Sequence, residues 1–113
     1  MSTPPQLDSN HIAMMAAVRK ERQQQLEKWG VQRHPQGTGE AGFKILADQW
    51  KAICDANHER GQDDWLTIAA EEFMEAASET DLRKLFDEVV QNAAVFVAWG
   101  EAIIDEIRKE NNQ

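Results

Sequence analysis

The sequence predicts an all-α fold, and three observations lead to this prediction. Between its turn signals the chain consists mainly of helix-forming residues such as Ala, Glu, Gln, Leu, Lys and Met. Strand signals are nearly absent, because the 113 residues include no Tyr and no alternating run of Val, Ile and Thr. Apolar residues instead recur at spacings of three and four, which is the period of a helix that packs along one face.

Four helices separated by turn signals account for most of the chain. Asp8 or Ser9 is suited to cap the first helix, and Gly30 ends it. Residues 31–42 combine a proline with several glycines and show no apolar periodicity, so they are expected to form a loop. Residues 1–8 are expected to be flexible.

Three further helices follow this loop, each bounded by a capping residue or a glycine. The connection between the third and the fourth helix is short, which makes these two helices antiparallel neighbours. The second helix is expected to run from Phe43 to just before Gly61. The third is expected to run from Trp65 to about Ser78, with Asp63 or Asp64 as its cap. The fourth is expected to run from Leu82 to about Lys109, with Thr80 or Asp81 as its cap.

Composition excludes several classes of protein. The chain of 113 residues has room for one domain, and its 12 basic and 20 acidic residues give a net charge of −8. Such a surface repels nucleic acid polymers. A single cysteine excludes an internal disulfide framework, and no apolar run reaches the length of a membrane span. The N-terminus lacks the pattern of a signal peptide, so a soluble cytoplasmic protein is expected.

The third helix carries a concentrated acidic face. At about 100° per residue, its apolar residues fall on one broad face, and four glutamates fall on an arc opposite to it. Like charges one turn apart repel each other, and divalent cations relieve that repulsion. The alternative is a solvated acidic face with no ligand. The glutamates are Glu71, Glu72, Glu75 and Glu79, and the apolar residues are Leu66, Ala69, Ala70, Phe73, Ala76 and Ala77.

The fourth helix supplies polar residues that need partners. It is apolar on all sides over Ala93–Ala98, which predicts a buried helix there. Glu88, Gln91 and Asn92 lie one or two turns earlier on a stripe that leads into this segment. Buried carboxylates and amides are costly unless they are paired.

The two helices can satisfy each other across their antiparallel contact. Glu72 and Glu75 of the third helix would face Glu88 and Gln91 of the fourth. A metal ion between them would be bound by all four side chains. This match is the strongest functional signal that the residues give by themselves.

These residues resemble the acidic motif of the MazG-like nucleoside triphosphate pyrophosphohydrolases, an all-α family. The family carries Glu-Glu-x-x-Glu on one helix and Glu-x-x-Asp on the next. Residues 71–75 (Glu-Glu-Phe-Met-Glu) match the first half, and residues 88–91 (Glu-Val-Val-Gln) stand where the second half belongs, with Gln91 at the Asp position. Residues 21–30 (Glu-Arg-Gln-Gln-Gln-Leu-Glu-Lys-Trp-Gly) resemble a phage and actinobacterial subgroup in which Gln is common at that position. The resemblance covers residues 12–107.

The resemblance implies a fold, a reaction and a cofactor. The fold is a four-helix MazG-like bundle, and the reaction cleaves a ribo- or deoxyribonucleoside triphosphate between its α and β phosphates. Glu72, Glu75 and Glu88 would hold Mg²⁺ or Mn²⁺, which lowers the pKa of a bound water. Gln91 would complete the shell or orient the water. Glu71 would be an outer-shell group or the base for that water.

Four further residues are candidates for substrate contact. Lys28 precedes Trp29 at the mouth of the glycine-rich loop, so stacking on a base is one interpretation of Trp29 and packing in a core or an interface is the other. His34 is either a loop residue or a substrate contact through the resemblance, and Asn92 lies next to the acidic motif. Homodimers or dimers of dimers are expected, since helices this short and apolar leave surface to cover.

Two other functions remain open at this point. The first is a catalytically weak or silent nucleotide-binding or regulatory bundle, in which Gln91 has disabled turnover. The second is a purely structural helical interaction protein. Pyrophosphate release distinguishes the enzyme from the silent bundle, and stabilisation by metal distinguishes both from the structural protein.

Overall fold

The structure, a computed structural model, describes residues 3–112 of the chain. These residues form four α-helices and no β-strand, which confirms the predicted fold class. Each predicted limit agrees to within about two residues, although the second helix begins before Phe43 and shortens the predicted loop. The helices are α1 (Ser9–Trp29), α2 (Ala41–Glu59), α3 (Trp65–Ser78) and α4 (Leu82–Asn111).

Aspartates begin three of these helices. Asp8, Asp64 and Asp81 each accept hydrogen bonds from backbone N–H groups in the first turn of the helix that follows. These bonds satisfy donors that a helix leaves without partners at its start. Of the predicted segment 1–8, residues 1–2 lie outside the described part, and residues 3–8 have no regular secondary structure.

The chain divides into two compact units, and the first comprises residues up to His34 together with those from Val97 onwards. A polar cluster joins the start of α1 to the last part of α4. Asn10, only 7% exposed, donates through Nδ2 to the carbonyl of Glu101 at 3.3 Å and to the carboxylate of Asp105 at 3.2 Å. Its Oδ1 accepts a hydrogen bond from Arg108. Nδ1 of His11 lies 3.2 Å from the Glu101 carboxylate.

Helices α1 and α4 approach closely beside this cluster. A Cβ atom at Gly100 would overlap the side chain of Met14, which would have to move to make room for it. The apolar stripe of α1, whose residues recur mostly at helical spacing, is not buried within the single chain. All five residues of that stripe are exposed: Ile12, Met15, Val18, Leu26 and Trp29.

The second unit comprises Pro35–Phe96 and contains the small core of the chain. Here α2 packs along α3. The buried apolar residues are Ala47 on α2, Ala69 on α3 and Leu85 on α4. The loop before α2 is tied to the end of α3, because the N–H of Gly39 donates to the carbonyl of Ala77 at 2.8 Å.

The two faces of α3 do not divide as the periodicity predicts. Leu66 and Phe73 on the expected core face are 67% and 62% exposed. All four glutamates of the opposite arc are half-buried. The glutamates are half-buried because the acidic arc faces the other helices of the second unit. Phe73 is exposed because it borders an open apolar cleft of about 400 Å³.

The prediction of a buried segment in the middle of α4 is also wrong for the single chain. Ala93, Ala94 and Phe96 are exposed, and Val95 and Trp99 are half-buried. Apolarity on all sides therefore does not produce burial here, because the chain has too few helices to surround this segment. Over residues 3–112, none of the helices has the combination of length and apolarity that crossing a bilayer requires.

Candidate metal centre

Three carboxylates converge in the second unit. Glu72 and Glu75 are three residues apart on α3 and therefore lie on one face of that helix, and Glu88 lies on α4. One carboxylate oxygen from each residue lies within 4.8 Å of the others. The structure thus brings together the three residues that the sequence selected as metal ligands.

The antiparallel arrangement of α3 and α4 produces this convergence. The two helices are connected by residues 79–81 alone. Nδ2 of Asn92 donates to the carbonyl of Glu72 at 2.9 Å and to the carbonyl of Glu88 at 2.7 Å. Asn92 therefore clamps α4 to α3 beside the carboxylates, and both of its amide hydrogens are engaged in this contact.

Two oxygens of the cluster are buried without a partner. Among the described residues, Oε2 of Glu72 and Oε2 of Glu88 are inaccessible to solvent and accept no hydrogen bond. A buried carboxylate oxygen that has no donor is costly, since desolvation removes its hydrogen bonds to water. A cation between the three side chains would remove that cost.

The same crowding raises the pKa of two of these carboxyl groups. Burial raises the pKa of Glu75 from its ordinary 4.5 to about 7, and the charges of Glu72, Glu88 and Glu71 and a hydrogen bond with Glu71 act in the same direction. Burial, followed by the charges of Glu88 and Glu71, also raises the pKa of Glu72. A proton relieves this repulsion between carboxylates in part, and a divalent cation relieves it further because its charge is larger.

A cleft of about 310 Å³ opens beside the cluster, and two lysines of α2 border it. Lys44 and Lys51 are seven residues apart, two turns along one face of α2, and line the cleft with Glu75 and Glu88. Each lysine pairs with an aspartate one turn further on, Lys44 with Asp48 and Lys51 with Asp55. The sequence analysis did not select these lysines, although their spacing of seven on an amphipathic helix is a usable signal.

Glu71 lies on the outer side of the cluster. Its carboxylate hydrogen-bonds with Glu75 and with the thiol of Cys54. Burial, followed by this contact, raises the pKa of Cys54 to about 12, and Sγ of Cys54 lies 3.4 Å from the carbonyl of Thr67. A thiol with so high a pKa is unreactive at neutral pH.

Gln91 is exposed on α4, one turn beyond Glu88. Among the described residues, the cleft is lined by Glu88 but not by Gln91. The neighbouring Asn92 makes the contact with α3 instead.

The remaining candidates for substrate contact belong to the first unit. Nζ of Lys28 lies 4.8 Å from the ring centroid of Trp29, whose side chain is 55% exposed. His34 lines a pocket at the end of α1. The exposure of Trp29 shows that it is no core residue of this chain.

Comparisons of this chain with protein-family models, with curated proteins and with solved structures found no match.

Proposed function

We propose that this protein is a metal-dependent nucleotide pyrophosphohydrolase that cleaves a nucleoside triphosphate between the α and β phosphates. The observation that carries the proposal is the convergence of Glu72, Glu75 and Glu88, two of them with a buried oxygen that has no partner. Carboxylate oxygens at this separation are the donor set that Mg²⁺ and Mn²⁺ take. The four helices would form a MazG-like bundle.

The chain's own residues have distinct parts in this proposal. Glu72, Glu75 and Glu88 hold the cation, which supplies a water of lowered pKa and neutralises charge on the phosphates. Glu71, whose charge helps to raise the pKa of Glu75, accepts a proton at its carboxylate. Hydrolysis adds water across the bridging P–O–P bond and releases a monophosphate and pyrophosphate.

The cleft beside the carboxylates is suited to the polyphosphate chain. Lys44 and Lys51 add two positive charges on the side that α2 provides, opposite the carboxylates of α3 and α4. Their aspartate partners are exposed and exchangeable, so a phosphate can replace Asp48 or Asp55 as the partner of each lysine. In this proposal Gln91 orients water or the substrate.

A panel of ribo- and deoxyribonucleoside triphosphates with Mg²⁺ tests the proposal, with monophosphate and pyrophosphate as the measured products. The decisive variant is Glu75→Gln, which keeps the size of the side chain and removes its charge. Asp87→Asn is the matched control, since Asp87 is an exposed carboxylate on α4 beside Glu88. Release of orthophosphate in place of pyrophosphate would contradict the assigned bond, and full turnover in Glu75→Gln would contradict the site.

The second candidate is a nucleotide-binding or regulatory bundle without turnover. The observation in its favour is the exposed, uncharged Gln91 at the position where the family has Asp. This protein would be stabilised against heat by a nucleotide with Mg²⁺ and would release no pyrophosphate. A structural interaction protein would be stabilised neither by the nucleotide nor by Mg²⁺.

Self-association is a further part of the proposal, and its support is the exposed apolar surface of the second unit. Phe73, Phe86 and Leu82 are each more than 60% exposed, and Val89 is 52% exposed. Phe73 and Val89 line the same apolar cleft, and exposed large apolar side chains in such number are typical of an interface. We expect a second copy of the chain to cover them, as a homodimer or a dimer of dimers. Light scattering at micromolar concentration should give a mass above 12.9 kDa, and a mass of one chain would contradict self-association.

A further inference from the structure

One segment of the first unit carries a strong local excess of positive charge. Residues 19–34 contain five of the 12 basic residues and two of the 20 acidic ones, a net charge of +3, while the rest of the chain carries −11. The five basic residues are Arg19, Lys20, Arg22, Lys28 and Arg33. This segment comprises the second half of α1 and the chain that follows it, all within the first unit.

The end of α1 shapes a pocket within this segment. Gly30 has a φ of 68°, which favours glycine, and its N–H donates to the carbonyl of Leu26 at 2.8 Å. Residues 31–34 then border the same pocket as the last turns of α1. The pocket has a volume of about 430 Å³, enough for a small phosphorylated molecule.

Two arginines and a histidine line this pocket. Arg22 reaches it from α1, and Arg33 and His34 reach it from the chain beyond Gly30. Among the described residues, its lining includes no carboxylate. Neither acidic residue of the segment lines the pocket, although Glu21 accepts a hydrogen bond at 3.4 Å from Gln25, which does; Glu27 accepts one from Gln23.

Both guanidinium groups are oriented by neutral partners. Arg22 donates to the side-chain oxygen of Gln25 at 2.7 Å, and Arg33 donates to the backbone carbonyl of Gln32 at 2.7 Å. No carboxylate of the described residues forms an ion pair with either arginine. Neither guanidinium group is therefore paired directly with a carboxylate, and each keeps further N–H donors in the planar fork that suits phosphate oxygens.

We propose that the pocket between Arg22 and Arg33 binds the phosphate groups of a phosphorylated small molecule without the help of a metal. The pocket is lined by residues of the first unit alone, and its proposed binding does not rest on the activity proposed for the carboxylate centre. Two guanidinium groups on one pocket fit an anion with several phosphate oxygens better than a single orthophosphate. The ligand is a nucleoside polyphosphate or an inorganic polyphosphate, which present the same chemistry to the pocket.

Calorimetric titration of the full-length protein with sodium tripolyphosphate in EDTA and 50 mM salt tests this proposal. EDTA removes divalent cations, so the carboxylate centre cannot attract an anion through a metal, and only Lys44 and Lys51 of its cleft remain to do so. We expect binding that weakens as salt is raised, and a loss of at least tenfold in affinity in Arg22→Gln/Arg33→Gln. Titrating a nucleoside triphosphate in parallel distinguishes the two sources, because a nucleoside that contacts the pocket tightens binding relative to tripolyphosphate alone.

Two control variants separate local recognition from overall charge and from misfolding. Arg83→Gln/Lys84→Gln also brings the net charge to −10 but leaves the pocket intact, so its affinity should stay within about twofold of the wild-type value. Arg22→Lys/Arg33→Lys keeps the charges and removes the forks, and should lose part of the affinity while unfolding at the wild-type temperature.

Three results would overturn the proposal. The first is no binding by the wild-type protein, and the second is an equal loss of affinity in both doubly neutralised variants. The third is a lower oligomeric mass of Arg22→Gln/Arg33→Gln with unchanged tripolyphosphate binding, which would make the pocket a contact for the acidic surface of a second copy. Glu75→Gln should bind tripolyphosphate as the wild type does, so a failure of the pyrophosphohydrolase proposal leaves this test intact.

Discussion

Two clusters of polar side chains, one in each unit, differ in how far their buried atoms are satisfied. In the first unit, Asn10 is buried, and its amide nitrogen and its oxygen both have partners on α4. In the second unit, Glu72 and Glu88 each keep a buried oxygen without a donor. A satisfied cluster lowers the free energy of the folded chain, whereas an unsatisfied one raises it unless a ligand binds.

This difference separates a structural cluster from a candidate functional one. Removing a side chain from the satisfied cluster should cost stability and leave catalysis alone. Removing a charge from the acidic cluster should reduce catalysis and leave the stability unchanged or higher. Five variants or conditions test this contrast, beginning with the largest expected effect.

Glu75→Gln should give the largest change. We expect the rate of Mg²⁺-dependent pyrophosphate release to fall at least 100-fold, about 2.7 kcal/mol of transition-state stabilisation. The melting temperature without metal should stay the same or rise, because one of three crowded charges is gone. A steady-state assay and a thermal melt in EDTA measure both effects. A lower melting temperature together with an unchanged turnover rate would contradict the difference between the two clusters.

Asn10→Ala should affect stability instead. It leaves the Glu101 carbonyl, Asp105 and Arg108 without their shared partner, at a cost of about 2 kcal/mol in the free energy of unfolding. Urea denaturation measures this cost. Gln24→Ala, an exposed amide on the same helix, serves as the control and should change the free energy by less than about 0.5 kcal/mol. Loss of pyrophosphatase activity from the folded Asn10→Ala protein would contradict a purely structural role.

The raised pKa of Glu75 predicts a pH dependence of stability without metal. Because the folded protein holds this proton up to a pH of about 7 and the unfolded chain releases it near 4.5, the contribution of Glu75 to stability is fully present below pH 4.5. It is lost as the pH rises from 4.5 through 7. Melting temperatures in EDTA should therefore decline over this range, and the decline should be smaller in Glu75→Gln.

Added Mg²⁺ should reverse that trend. Protons compete with the cation for Glu75, so the stabilisation by a fixed Mg²⁺ concentration should grow as the pH rises through about 7. Melts over a grid of pH and Mg²⁺ concentration measure this dependence. Stabilisation by Mg²⁺ that is the same at pH 5 and at pH 8 would exclude Glu75 as a ligand.

Gln91→Asp should have the smallest effect, since solvent screens a charge at this exposed position. We expect turnover to stay within about threefold of the wild-type rate and the affinity for Mg²⁺ to rise slightly. The Mg²⁺ dependence of pyrophosphate release measures both. A tenfold loss of turnover would show that Gln91 donates its amide to Glu88 or to the substrate, a role that Asp cannot take.

The sequence determined the local structure and the members of the acidic cluster. Helix limits follow from caps such as Asp64 and Asp81 and from glycines such as Gly30, because these act within one turn of the chain. The convergence of Glu72 and Glu75 with Glu88 followed from helical spacing and a short connection, which together leave one antiparallel arrangement.

The tertiary structure decided which faces are buried and which further residues line the cleft. Periodicity predicted that Phe73 and the stripe of α1 would be buried, but burial depends on what lies opposite a face, and that is not encoded in its spacing. Lys44 and Lys51 line the cleft because α2 packs on α3. Asn92, not Gln91, contacts α3, because the rotation of α4 about its axis is fixed by all of its contacts together.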